Sequence, residues 1–275
     1  MKTRIITGFC MVIVAIPLII WSDTVALSIA IALLSLVGVF EYLRCVGAEK
    51  TLGFSIPSCL FALAAPFLLR YLPGKWTLLF GAAYVYVFFM LAYAMLTMGT
   101  TDFDKVAKAT VGTLYISSGF ACLLAARDLA HGLFLLIMII VTAFGTDIFA
   151  YFTGYFFGRH KLIPTVSPKK TVEGAVGGTL IAAAAFVGCG MVYAHLYGTV
   201  RPHIFAMFIC GAILSVISQI GDLIASYFKR NSGIKDYGNL FPGHGGVLDR
   251  FDSVIAVAPV MYIMLSDSTI FTIFK

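Results

Sequence analysis

Nine continuous apolar runs succeed one another along the chain, at roughly Ile5–Trp21, Val25–Leu43, Ile56–Leu72, Trp76–Met98, Val111–Ala126, Leu133–Phe157, Gly174–Tyr197, Ile204–Phe228 and Val254–Phe274. About 20 apolar residues carry a helix across the hydrocarbon core of a bilayer. The runs are unbroken rather than alternating, which favours helices over a β-barrel. The first two are the weakest, because a re-entrant hairpin has the same pattern. Lys2 and Arg4 precede the first run, but Trp21-Ser22-Asp23 leads straight into the second without a small-residue cleavage site. A retained first span is therefore expected rather than a signal peptide. The pattern predicts an all-α, polytopic transmembrane bundle of about nine spans forming one membrane domain over 1–275. The helices of 1–130 serve as scaffold and dimer surface, and 131–275 carries the chemistry.

Composition agrees. The chain is 60% hydrophobic and 12% charged, with a mean hydropathy of +0.98. Soluble domains are about 25% charged, so much of this surface must meet lipid. The placement of the 19 Lys and Arg residues sets the orientation. With the N-terminus in the cytoplasm, the inner loops hold Lys2, Arg4, Arg44, Lys50, Lys105, Lys108, Arg159, Lys161, Lys169, Lys170, Lys229, Arg230, Lys235 and Arg250. The outer side holds Arg70, Lys75, Arg127, Arg201 and Lys275. Positive charge stays inside, so the N-terminus is expected to be cytoplasmic. The six cysteines form no CxxC pair and are read as small apolar residues.

Polar residues are scarce in the first half. Glu41, Arg44, Glu49, Lys50, Asp102 and Asp104 fall at span ends or in short loops and are read as solvated boundary residues. Asp147 differs, because it lies inside an apolar run and at helical spacing with Tyr151, Gly154 and Gly158. An ionisable group within a span marks function, or else a structural hydrogen bond between helices. The loop that follows holds Ser167, Lys169, Lys170, Thr171 and Glu173 just before a helix. Lysines beside free N–H groups at a helix start suit phosphate; anionic headgroups are the alternative ligand. The glycines Gly174, Gly177 and Gly178 permit close helix packing. In the eighth run Ser215, Ser218, Gln219, Asp222 and Ser226 recur at steps of three or four, a polar stripe expected to line a cavity.

The densest stretch runs from Lys229 to Ser253 and includes Arg230, Lys235, Asp236, Pro242-Gly243-His244-Gly245-Gly246, Asp249, Arg250 and Asp252. Its glycines can turn N–H groups towards an anion. Asp249 and Asp252 share a face where the last helix begins. Hard oxygen ligands suit Mg²⁺ completed by phosphates and water, and Asp222 with Asp249 is the natural pair. Lys169, Lys170, Lys229, Arg230, Lys235 and Arg250 can neutralise a polyphosphate. The set describes phosphoryl or nucleotidyl transfer at a membrane surface. No Walker or protein-kinase signature is present. A CTP-dependent polyprenol kinase and an ion transporter using Asp147 and Asp222 are the competing readings. The transporter lacks an inverted repeat.

The segment Ser226 to Asp252 closely resembles the phosphatidate cytidylyltransferase signature. Asp222 and Ser167-Pro168-Lys169-Lys170-Thr171-Val172-Glu173-Gly174 also look like that family. The resemblance implies a dimeric multi-helix membrane enzyme; the charge balance is expected to put its active site on the cytoplasmic side, and the short termini favour a bacterial inner membrane. The resemblance also implies CTP and phosphatidate as substrates, CDP-diacylglycerol and pyrophosphate as products, Mg²⁺ and a second cation as cofactors, and no nucleic-acid partner. It assigns Asp222 and Asp249 to metal, and the basic residues to phosphates with Ser167, Thr171, Gly245 and Gly246. His244 donates to a phosphate, acts as an acid, or organises the loop. Asp147, Glu173, Asp236 and Asp252 are expected to support these groups, the latter two by orienting Lys235 and Arg250.

Overall fold

The computed structural model describes residues 2–72, 75–98, 102–198, 200–267 and 272–274, without the side chains of 2–5 and 75. Lys2, Arg4, Lys75 and Lys275, counted in the charge balance, therefore have side chains outside the described residues. Among the described residues the chain forms α1 (Lys2–Ile20), α2 (Val25–Cys45), α3 (Leu52–Tyr71), α4 (Lys75–Leu96), α5 (Phe103–Ala126), α6 (Gly132–Phe157), β1 (Lys161–Ile163), β2 (Ser167–Thr171), α7 (Val172–Tyr197), α8 (Ile204–Asn231) and α9 (Leu248–Ser266). The seven helices α2 to α8 are long and apolar enough to cross a membrane; the apolar part of α1 is shorter. The protein is thus an all-α, multi-pass membrane protein. Large apolar side chains such as Phe80, Tyr84, Val85 and Phe88 of α4 are exposed, as lipid contact requires.

Helix ends follow local chemistry. Thr24, Asp102 and Thr171 cap α2, α5 and α7, each accepting an N–H from the first turn with its side-chain oxygen. Gly198 ends α7 with φ 66°, a left-handed conformation that glycine adopts freely.

The chain clusters into two compact units. The first comprises residues 1–128 with 228–251. Its core includes Leu43, Phe54, Leu69, Met90, Phe120 and Leu124, all fully buried. Gly112 lies against the Tyr42 ring, leaving no room for a side chain. Buried Arg70 donates to the Ser22 carbonyl and the Ser28 hydroxyl and pairs with Asp128.

The second unit comprises residues 129–227 with 252–275. Its core includes Leu136, Met138, Ile139, Phe186, Met207 and Leu214. The α6–α7 seam is set by the glycines that the sequence placed there. A Cβ at Gly174 would sit 2.7 Å from the Ala150 carbonyl oxygen, and one at Gly178 2.8 Å from the Ala150 Cβ. Gly178→Val is expected to lower stability by about 1–3 kcal/mol through overpacking, read as an earlier thermal transition in detergent. Hydroxyls cross the same unit: Thr146 donates to Ser215, Ser215 to Thr179, and Gln219 to Thr179.

Two expectations change. The last helix is shifted towards the N-terminus relative to its apolar run: it begins at Leu248, with Asp249 and Asp252 in its first turns as their shared face implied, ahead of the run from Val254. It ends at Ser266, and the segment near Phe274 is not helical. There His203 N–H donates to the Ile273 carbonyl, and Phe274 packs on His131, Phe134 and Tyr193. The loop after α6 is also not irregular: β1 and β2 pair as a short antiparallel hairpin.

Candidate active site

The hairpin and the ends of α6, α7 and α8 enclose a cavity of about 530 Å³ in the second unit. Asp147, Tyr151, Gly154 and Gly158 line it from α6, so the stripe read from helical spacing faces one space. Ser167, Lys169, Lys170 and Thr171 line it from β2, and Gln219 and Asp222 from α8. Lys170 forms an ion pair with Asp222. The polar stripe of α8 divides. Ser215 and Ser218 are buried in hydrogen bonds between helices, whereas Gln219 and Asp222 reach the cavity. An apolar groove of about 420 Å³ is lined by Ile163, Val176, Leu180, Val216, Ile220 and Leu223, and shares Leu162, Ala175 and Gln219 with the cavity.

The start of α7 does not match the phosphate cradle expected from the sequence. Gly174 N–H donates to the Thr171 hydroxyl, and Val172 N–H to the His160 carbonyl. The Glu173 carboxylate accepts the Arg159 and His160 N–H groups and contacts His160 Nδ1 at 2.6 Å. The positive charge on the cavity wall is carried by the side chains of Lys169, Lys170 and Lys161, the last unmarked as a site residue in the sequence reading. Thr171 and Glu173 instead hold the hairpin to the helix.

The signature loop lies in the first unit. Asp249 is buried at the start of α9. Its Oδ1 accepts Lys229 Nζ at 2.8 Å, and its Oδ2 accepts the N–H groups of Tyr237 and Gly246 at 2.8 and 2.9 Å. Lys229 is buried too, with its Nζ over the Tyr237 ring. The turn Phe241–Gly245 closes through Phe241 N–H to the Gly245 carbonyl and back, with Gly243 at φ 80° and Gly245 at φ 91°. The N–H groups of Gly245 and Gly246 are therefore engaged by Phe241 and Asp249, and neither is free to receive a phosphate as expected. Lys235 and Asp236 are exposed, and no ion pair joins them among the described residues. Arg230 is exposed and donates to the Ile234 carbonyl. The Nδ1 of His244 and the Nε of Arg250 are buried with no hydrogen-bond partner among the described residues. Asp252 is buried in the second unit and accepts Ser253 N–H.

The sequence reading missed Glu41. Read as a solvated boundary residue, it is buried, and its two oxygens accept the N–H groups of Val247 and Leu248 at 3.0 Å each. Arg44, read the same way, donates to the Tyr237 carbonyl at 2.7 Å. Asp104 and Lys108 do form an exposed ion pair. Cys122 and Cys210 are buried as expected of apolar residues, whereas Cys10 is exposed.

Long apolar helices carry a lysine-lined carboxylate cavity and a glycine-rich loop tied to an aspartate, and the family match makes this a membrane enzyme of the nucleotidyltransferase class. A cytidylyltransferase family profile matches residues 2–267. The phosphatidate cytidylyltransferase of Bacillus subtilis (strain 168) is 35% identical over 278 residues, covering 97% of this chain and 98% of that protein. Those of Staphylococcus haemolyticus and Staphylococcus saprophyticus are 32% and 34% identical over 270 residues, covering 96% of this chain and 99% of each relative. The chain belongs to the cytidylyltransferase family.

Proposed function

We propose that the enzyme condenses CTP with phosphatidate to give CDP-diacylglycerol and pyrophosphate. The observation that carries this reading is the lysine-lined cavity of the second unit with an apolar groove beside it, the two sharing Leu162, Ala175 and Gln219. A lipid phosphate needs both environments side by side. The names of the relatives point to the same chemistry.

A phosphatidate oxygen attacks the α-phosphorus of CTP in line. The new O–P bond forms as the bond to the β-phosphate oxygen breaks, and pyrophosphate leaves with that electron pair. A phosphomonoester has its second pKa near ~6, so the nucleophile is already anionic at neutral pH without a strong base. The difficulty is repulsion between anions. Lys169 and Lys170 place positive charge along the cavity, and Lys170 is held ready by Asp222.

Mg²⁺ fits the donor chemistry at Asp222, a cavity carboxylate whose remaining ligands would be phosphates and water. Bound there, Mg²⁺ supplies charge neutralisation of the triphosphate. Asp249 keeps the metal role that the signature implies as a separate proposal, which requires Lys229 to yield Oδ1. A second cation would likewise take most of its ligands from phosphates and water around one or two carboxylates. The enzyme is further proposed to be a homodimer in a bacterial inner membrane, with its cavity on the cytoplasmic side that the charge balance favours.

Radiolabelled CTP with phosphatidate in detergent micelles is the test. CDP-lipid and pyrophosphate are expected, with loss of turnover in EDTA and recovery with Mg²⁺. Release of CDP with a phosphorylated lipid alcohol as acceptor product would replace this reading with a kinase.

A further inference from the structure

We propose that Glu41 is a positioning residue for the reaction, fixing the start of α9 and through it the direction of the Asp249 carboxylate. The inference rests on the reading above for the role of Asp249, but its geometry stands alone. Glu41 lies on α2, 206 residues from Val247 in sequence, in the same compact unit as the signature loop. Its two oxygens bridge two consecutive N–H groups, those of Val247 and Leu248, immediately before Asp249. The donors of a helix start have no partner within the helix, and a carboxylate there gains from both hydrogen bonds and the helix dipole.

The same contact explains two glycines of the loop. A Cβ on Gly246 would lie 2.5 Å from the Glu41 carboxyl carbon, and one on Gly238 would lie 3.0 Å from it. Both positions are bare because Glu41 fills the space. With Glu41 holding residues 247 and 248, Gly246 N–H and Tyr237 N–H meet one Asp249 oxygen, leaving the other for Lys229. Arg44, one turn further along α2, takes the Tyr237 carbonyl and closes the arrangement from the other side.

Glu41→Gln keeps the shape but turns an NH₂ group towards one of two N–H donors. The variant is expected to lose roughly 10- to 100-fold in kcat, the range for groups that orient an active residue. KM for CTP should change little, and the half-saturating Mg²⁺ concentration should rise. A passive structural role would lower the amount of active protein without shifting Mg²⁺ dependence. Glu41→Ala should also make Gly246→Ala less harmful than it is in the parent chain, because the colliding carboxylate is gone. Hydrogen exchange on the unaltered protein supplies a readout independent of variant folding and of turnover: the 247 and 248 amides should be protected. Exchange of both at open-loop rates, or a parent enzyme active on CTP and phosphatidate whose Glu41→Gln variant matches it in kcat and Mg²⁺ dependence, overturns the inference. A parent enzyme that forms no CDP-lipid overturns the functional reading instead, leaving the exchange result to decide the contact.

Discussion

Asp249→Asn protein is expected to make CDP-lipid at least 10²–10³-fold more slowly than the parent, the scale seen when a preorganised electrostatic group is removed, and also to melt earlier. The two effects have different origins. The asparagine oxygen can still accept the Tyr237 and Gly246 N–H groups that Oδ2 holds now. Its NH₂ then faces the Lys229 ammonium, which the parent satisfies with Oδ1. The two side chains are only 11% and 3% exposed, so the lysine is left charged and dry. Losing one member of such a pair costs about 3–5 kcal/mol. Adding Lys229→Met should return much of the lost stability and none of the turnover. Thermal unfolding in detergent and labelled-CTP assays on both variants separate the effects. Parent-like turnover in Asp249→Asn would refute a role for this carboxylate in the chemistry.

Asp222→Asn gives a different balance, a comparable loss of rate with a smaller loss of stability. Lys170 and Asp222 are 22% and 25% exposed on the cavity wall, but the Lys170 Nζ itself is shielded from water. Removing its partner should therefore cost more than the roughly 0–1 kcal/mol of a surface pair and less than the loss at the drier Lys229–Asp249 pair. Turnover should still fall on the order of 10²–10³-fold, with a raised Mg²⁺ requirement if the carboxylate holds the ion. A matched fall in stability and activity would mean that Asp222 is structural and that the cavity works without it.

The contrast bears on what the sequence could reveal. The membrane helices were legible because apolar runs of this length have one stable solution in lipid. The seven helices α2 to α8 appear where the runs lie, with ends displaced by up to about two turns at α5, which starts at Phe103 rather than Val111. The polar stripe of α8 and the α6 stripe around Asp147 were legible from period alone. The hairpin was not, since Lys161–Ile163 and Ser167–Thr171 are short, charged and interrupted by Pro164 and Pro168, with no alternation to read. The start of α9 was legible from the helical spacing of Asp249 and Asp252 but not from hydropathy, because Asp249, Arg250 and Asp252 resemble a loop in any hydropathy window and the apolar run begins only at Val254. Glu41 carried no local signal. A polar residue at a span end looks solvated until a partner 206 residues away is brought to it. The one available hint lay in the loop itself, whose glycines at 238 and 246 had no ligand-independent explanation until the carboxylate between them was seen.

That long separation imposes a timetable on biogenesis. At about 5–20 residues per second, roughly 10–40 s pass between the emergence of α2 from the ribosome and that of the two amides Glu41 will hold. Throughout that interval the nascent second helix carries a carboxylate whose eventual hydrogen-bond donors have not been made. It must wait at the aqueous boundary or take up a proton, and only the arrival of the final helix lets it settle. Completion of the signature loop is thereby coupled to the arrival of α9, so a ribosome that stalls early leaves a chain with no finished loop.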